Sequence, residues 1–243
     1  MWDHSCELTD QEQTQIMWQP SNQLEEERLR KAEQLREREV DLFPRRAERT
    51  HTTAEAIAAY DAAEAEHGEE VPEIVVTVAG RVRRVNVKGK VSFMHIEDEH
   101  GRLQLFLRLN DMDENEYALA KEKLIEVDDF VQATGTLMRT KAGEISVHVK
   151  SWQLLAKAMS PLPVIKKQVL DDGTTKEYGE FSDVETRYRQ RYADLAVHEE
   201  VRDVFRKRAR IIRAMQNFLD DEGMLEVETP ILQPIYGGAA ARP

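Results

Sequence analysis

Short runs of alternating apolar and polar residues, cut by glycine-bearing turns, fill residues 81–155, and this pattern restricts the fold of the chain more than any other. Gly80-Arg81-Val82 opens the segment, and Lys88-Gly89-Lys90 is a turn. Residues 91–98 read as a strand, Glu99-His100-Gly101 as a tight turn, and residues 102–107 as the partner strand of a hairpin. Residues 117–125 change to helical spacing. Residues 130–137 and 144–149 alternate again on either side of Lys141-Ala142-Gly143.

Three strands, a helix and two strands is the element order of the OB-fold, a five-stranded, partly open barrel that binds oligonucleotides or oligosaccharides on its strand 2–3 face. Charge bears on which. The chain carries a net −12, which argues against an indiscriminate nucleic-acid binder. The deficit is uneven: residues 1–72 hold −10, residues 73–158 are neutral and residues 159–243 hold −2. Within the neutral barrel Arg81, Arg83, Arg84, Lys88 and Lys90 cluster, as selective RNA contact requires. A solvated strand edge guarded by cations reads equally well from charge alone. The single cysteine, Cys6, excludes an internal disulfide framework and suits a reducing cytoplasm. The histidines lack ligand spacing, so no metal site is expected. No run of 18 apolar residues occurs, so no membrane partner is expected.

The remaining segments fall on either side of the barrel. Residues 1–20 are polar and aperiodic, a flexible tail. Residues 21–70 form a helical segment. In it Asn22 and Glu25 resemble a capping box ahead of a charged helix to about residue 38, with a thin apolar stripe of Leu24, Ala32, Leu35 and Val40. Thr52 or Thr53 caps a second helix over residues 54–66. Residues 73–158 are the barrel domain, and 159–180 a proline-stiffened linker with a surface hairpin around Asp171-Asp172-Gly173-Thr174. From 181 onward, Asp183 caps a helix through residue 195 carrying Val184, Tyr188, Tyr192 and Leu195 on one side. Residues 199–221 make the most strongly amphipathic helix, with Gly223 placed for a left-handed C-cap. Residues 225–229 alternate as a short strand ended by Pro230.

Two barrel side chains carry chemistry. Alternation places Phe93, His95 and Glu97 on one face, and Val91, Met94 and Ile96 largely on the other. An exposed Phe93 offers a ring for a base to stack on, and Gln104 on the paired strand can read a base edge with one donor and one acceptor. The pattern alone equally allows Phe93 as a core residue and Gln104 as a solvated one.

Taken together, several stretches resemble class II lysyl-tRNA synthetases. They are Leu35-Arg36-Glu37, Phe43-Pro44, Gly89-Lys90-Val91-Ser92-Phe93, Gly101-Arg102-Leu103-Gln104-Leu105, Gly143-Glu144-Ile145-Ser146, Arg187-Tyr188-Arg189-Gln190-Arg191-Tyr192-Ala193-Asp194-Leu195, Glu228-Thr229-Pro230 and Gly237-Gly238-Ala239. Their joint order over some 220 residues is far more specific than any one of them. The resemblance implies an α+β chain: N-terminal helices, an OB-fold anticodon-binding barrel, then the first helices and strand of a class II antiparallel catalytic domain. It further implies that Arg81, Phe93, Gln104 and Glu144 hold the uridine-rich lysine anticodon. Gly238 would meet the lysine substrate, and the helix end at Gly223 with Pro230 would lie in a homodimer interface.

Lysine tRNA, lysine and a second subunit are the partners so implied, and ATP with Mg2+ the cofactors of the complete enzyme. The arginines that grip ATP in the family find no match in residues 1–243, so this length is expected to be catalytically incomplete. A stand-alone RNA-binding module derived from such a ligase is the alternative, and an aspartate or asparagine ligase is disfavoured by residues 238–243. The sequence departs from the family where many relatives carry arginines, at Val85 and Asn86, which removes phosphate-binding charge. Arg187, Arg189 and Arg191, at i and i+2, do not share a helix face and are expected in internal salt bridges.

Overall fold

A computed structural model of the chain describes residues 19–68, 70–163, 166–169, 175–178, 181 and 183–231. It divides into two compact units, residues 1–161 and 162–243.

The first unit begins with α1 (Gln23–Glu37), started by Asn22, whose side chain accepts from Glu25 N at 3.0 Å. The expected reciprocal bond is displaced by one residue. Glu25 Oε2 accepts from Ser21 N (2.7 Å) and Ser21 Oγ (2.8 Å), while its Oε1 accepts from Ser160 Oγ at 2.7 Å. Ala32 and Leu35 are buried, but Leu24 is exposed, so the buried stripe is narrower than its sequence spacing suggests. Buried Arg28 completes the face by donating to the carbonyls of Val127 and Ala158. A full capping box starts α2 (Thr53–His67): Thr52 accepts from Glu55 N, and the Glu55 carboxylate from Thr52 N at 2.8 Å.

The barrel follows as β1 (Val75–Lys88), β2 (Val91–Glu97), β3 (Arg102–Arg108), α3 (Glu114–Lys121), β4 (Phe130–Arg139) and β5 (Ile145–Ala156). The closed strand order is β1-β2-β3-β5-β4, with β4 returning to β1 and β5 parallel to β3. Strand β1 starts at Val75, earlier than the sequence suggests, because Val76 and Val78 already alternate into the core. Helix α3 starts at Glu114, where Asp113 accepts from Asn115 N and Glu116 N, and it stops before buried Leu124 and Ile125. Met94 and Ile96 of β2 are fully buried, and Ser92, rather than Val91, shares their face and meets Tyr117 Oη at 3.1 Å.

Two devices shape this unit. A register shift at Thr134/Gly135 bends β4 so closely over β5 that a Cβ on Gly135 would stand 2.1 Å from the His148 carbonyl oxygen. Buried Lys157 donates to the Leu124 carbonyl (3.2 Å), Glu126 Oε2 (3.1 Å) and Asp129 Oδ2 (2.9 Å), and Lys31 of α1 reaches Glu126 Oε1 at 2.6 Å. Burial would raise the Glu126 carboxyl, but the bonds from Lys31 and Lys157 outweigh it and hold the pKa below its ordinary value. For Asp129 burial dominates and pushes the carboxyl up.

In the second unit β6 (Lys166–Val169) pairs antiparallel with β7 (Thr175–Tyr178); the hairpin turn expected at 171–174 lies outside the described residues. The single helix expected from Asp183 is two, α4 (Val184–Arg189) and α5 (Arg191–Val197), broken at Gln190 (φ −107°, ψ 53°). The break ends the shared stripe, and Val184, Tyr188 and Tyr192 are exposed. Asp194 is buried and accepts from Arg187 Nε at 2.7 Å and from Arg191, with His198 Nδ1 2.8 Å from its Oδ1; Arg189 pairs with Glu185. Burial works against the Asp194 anion, and Arg187 leads the groups that nevertheless lower its pKa.

Helix α6 (Glu199–Asp221) ends in a Schellman motif. Gly223 has φ +78° and donates to the Asp220 carbonyl, and Met224 N donates to the Leu219 carbonyl at 3.0 Å. The strand expected at 225–229 is not formed among the described residues, because alternation specifies a face but supplies no partner strand.

Candidate nucleic-acid interface

The barrel face formed by β1, β2, β3 and β5 carries two cross-strand rows. Register pairs Asn86 with Phe93, Phe93 with Phe106, and Phe106 with His148. The next row pairs Arg84 with His95, His95 with Gln104, and Gln104 with Ser146. Directly opposed residues project from the same face of a sheet, so sequence-distant side chains meet here.

Between these rows lies a cavity of about 560 Å³, of a size that accommodates a base. Phe93 and Phe106, with ring centroids 5.4 Å apart and planes tilted by 54°, line its apolar side. Phe93 is half-buried, not sealed in the core. His95, Gln104 and Glu144 line its polar side. Gln104 is only 8% exposed, and it is held rather than solvated: its Oε1 accepts from Ser146 Oγ (2.9 Å) and its Nε2 donates to Glu144 Oε2 (2.7 Å). Glu144 arrives on the β4–β5 turn, whose Gly143 adopts φ +87°. Arg84 and Lys141 place two cations on the lining against the one carboxylate of Glu144.

Three of the four residues expected in an anticodon site, Phe93, Gln104 and Glu144, thus share one cavity. Arg81 is not among its lining residues. It lies opposite Glu97, beyond a bulge at Val82/Arg84, with its guanidinium 4.3 Å from the Phe130 ring centroid and Nη1 donating to the Asp128 carbonyl at 3.3 Å. Burial there lowers its pKa from the usual arginine value. Gly223 caps α6 and Pro230 is exposed, while Gly238 lies outside the described residues.

Phe106 and Lys141 also line the cavity, beyond the residues expected from the sequence. Phe106 follows Gln104 at the strand period of two, which was the available signal. Lys141 was visible only as a turn residue. Asn86, one of the two departures from the family pattern, lines the cavity, whereas Val85 packs toward the core.

Comparison with known proteins agrees with this fold. Residues 76–155 match the family described as the OB-fold nucleic acid binding domain, and residues 183–243 match class II tRNA synthetases (D, K and N). The lysine–tRNA ligase of Roseiflexus castenholzii is 48% identical over 225 residues, which is 91% of this chain and 42% of that protein. That of Clostridium novyi is 42% identical over 223 residues, 91% of this chain and 39% of that protein. The chain spans about two fifths of the length of the curated relatives it matches. An OB-fold segment followed by a class II synthetase segment, together with this level of identity over nine tenths of the chain, makes the chain similar to about two fifths of a class II lysyl-tRNA synthetase.

Proposed function

We propose that the barrel reads the anticodon of lysine tRNA on behalf of a lysine–tRNA ligase. The observation that supports this best is the convergence of a half-buried aromatic ring, Phe93, with a fixed amide and carboxylate, Gln104 and Glu144, at one cavity. A ring offers a sequence-tolerant stacking surface, and the amide and carboxylate read the edge of the stacked base. Arg81, pinned beside Phe130, would act on the backbone next to the cavity rather than on the same base.

In the ligase the remaining partners are lysine, which Gly238 would contact, and a second subunit, against which Gly223 and Pro230 would lie. The setting is cytoplasmic translation. The exposed apolar residues of α6, Val204, Ile211, Met215 and Phe218 among them, favour this reading over a free-standing RNA module, because an isolated module has no use for such a face. ATP and Mg2+ would serve the complete enzyme. Among the described residues no grouping of carboxylates, histidines or cysteines suits a metal ion, so no adenylation step is assigned to these side chains.

Filter binding of lysine tRNA and of an anticodon-substituted tRNA to the 243-residue chain tests the proposal. Phe93→Ala should weaken binding of the cognate tRNA about tenfold, the worth of one stacked base. Equal affinity for the two tRNAs would remove the anticodon role.

A further inference from the structure

His95 stands where two incompatible demands meet. Its Nε2 lies 3.1 Å from Glu144 Oε1 and 3.3 Å from Gln104 Nε2. The Glu144 carboxylate can only accept a hydrogen bond, and the Gln104 amide nitrogen can only donate. The amide cannot turn over to resolve this, because Glu144 Oε2 at 2.7 Å requires Nε2 on that side and Ser146 Oγ donates to Oε1 on the other. One imidazole nitrogen therefore serves Glu144 when it carries the proton, or Gln104 when it does not. The other nitrogen, Nδ1, is buried and has no hydrogen-bond partner among the described residues, so the ring gains nothing there from either tautomer.

We infer that His95 is a positioning residue that prepares this cavity for a base edge carrying an imino N–H flanked by carbonyls, the edge of uracil, and against cytosine. The inference rests on the cavity being a nucleobase site. When Nε2 accepts the second Gln104 N–H, Glu144 Oε1 loses its protein donor and faces the cavity as an open acceptor. An imino N–H supplies the missing proton, and the carbonyls beside it meet the cationic lining of Arg84 and Lys141. Cytosine presents a ring nitrogen lone pair where uracil presents the N–H, and a carboxylate repels it. Without His95, the second Gln104 N–H loses its acceptor and is free to turn into the cavity, where it can donate to the ring nitrogen of cytosine.

The test measures binding of RNA hairpins with a seven-nucleotide loop centred on UUU, and of hairpins with single U→C changes, to the full 243-residue chain. The wild type should favour uridine at one loop position. His95→Asn, whose amide is too short to reach the Nε2 place, should lower that uridine-to-cytidine ratio about tenfold, the worth of one hydrogen bond to a charged group. His95→Gln, which sets a donor and an acceptor near that place, should restore most of the ratio. A purely structural role would weaken both hairpins together and leave the ratio unchanged, and that result would overturn the inference. Phe93→Ala separates the two layers of argument. If it leaves all binding intact, the cavity is not the base site; if it weakens binding while both His95 variants keep the wild-type ratio, only the role of His95 fails.

Discussion

The barrel and the long helix α6 were both built from strong sequence patterns, yet they differ in what they do with their apolar side chains. In the barrel, Val76, Val78, Met94, Ile96, Leu105, Leu107, Val131 and Val149 are all at most 1% exposed. In α6, Val204, Ile211, Met215 and Phe218 are each more than 60% exposed. A helix satisfies its own backbone, so 23 residues with a good C-cap form it without neighbours. A strand cannot, and the barrel exists only because its five strands close on one another. The contrast shows that an amphipathic pattern predicts an element reliably, whereas burial of its apolar face depends on what other chain is there to cover it.

Disrupting the closed unit should therefore be far more damaging than altering the open face. Asp129→Ala leaves Lys157 buried without its nearest carboxylate and should lower stability by about 3–5 kcal/mol, read by chemical denaturation. Asp98→Asn probes the seam between α2 and the barrel. Asp98 accepts from Thr53 N (2.8 Å), Thr53 Oγ1 (2.6 Å) and His100 N (2.7 Å). Burial opposes its charge, but these bonds outweigh burial and depress its pKa. A depressed carboxylate stabilises the fold fully above the unfolded value of about 4, and that contribution is lost as pH falls through the lower folded value. The difference in melting temperature between wild type and Asp98→Asn should be full near neutrality and shrink below about pH 4. A difference that grows on acidification would contradict this. In α6, Phe218→Ser should change stability by no more than about 0.5 kcal/mol while reducing self-association in sedimentation velocity. A large loss of stability would show that the face is already covered.

How much of this was legible in the sequence follows the same division. The caps Asn22, Thr52 and Asp183 and the stop at Gly223 were visible because each acts within a few residues. The break at Gln190 was not, since neither glycine nor proline marks it and the pairing of Arg187 and Arg191 with Asp194 holds the bend. Phe93 and Gln104 could be placed on one face from alternation. That Glu144 would bond Gln104 was beyond alternation, because it depends on the parallel pairing of β3 with β5, forty residues apart. Arg81 is held outside the cavity by the Phe130 ring and the Asp128 carbonyl, contacts with residues far along the chain that strand alternation does not reveal.

The central claim is that unpaired bases of the anticodon loop enter the cavity between Phe93 and Glu144. Photocrosslinking with lysine tRNA carrying 4-thiouridine in its anticodon, followed by peptide mapping, tests it at the level of contact. The account predicts crosslinks within β2 and β3, at Phe93 or Phe106, that vanish when excess unmodified cognate tRNA competes. Crosslinks confined to residues 199–221, with β2 and β3 unmarked, would contradict it.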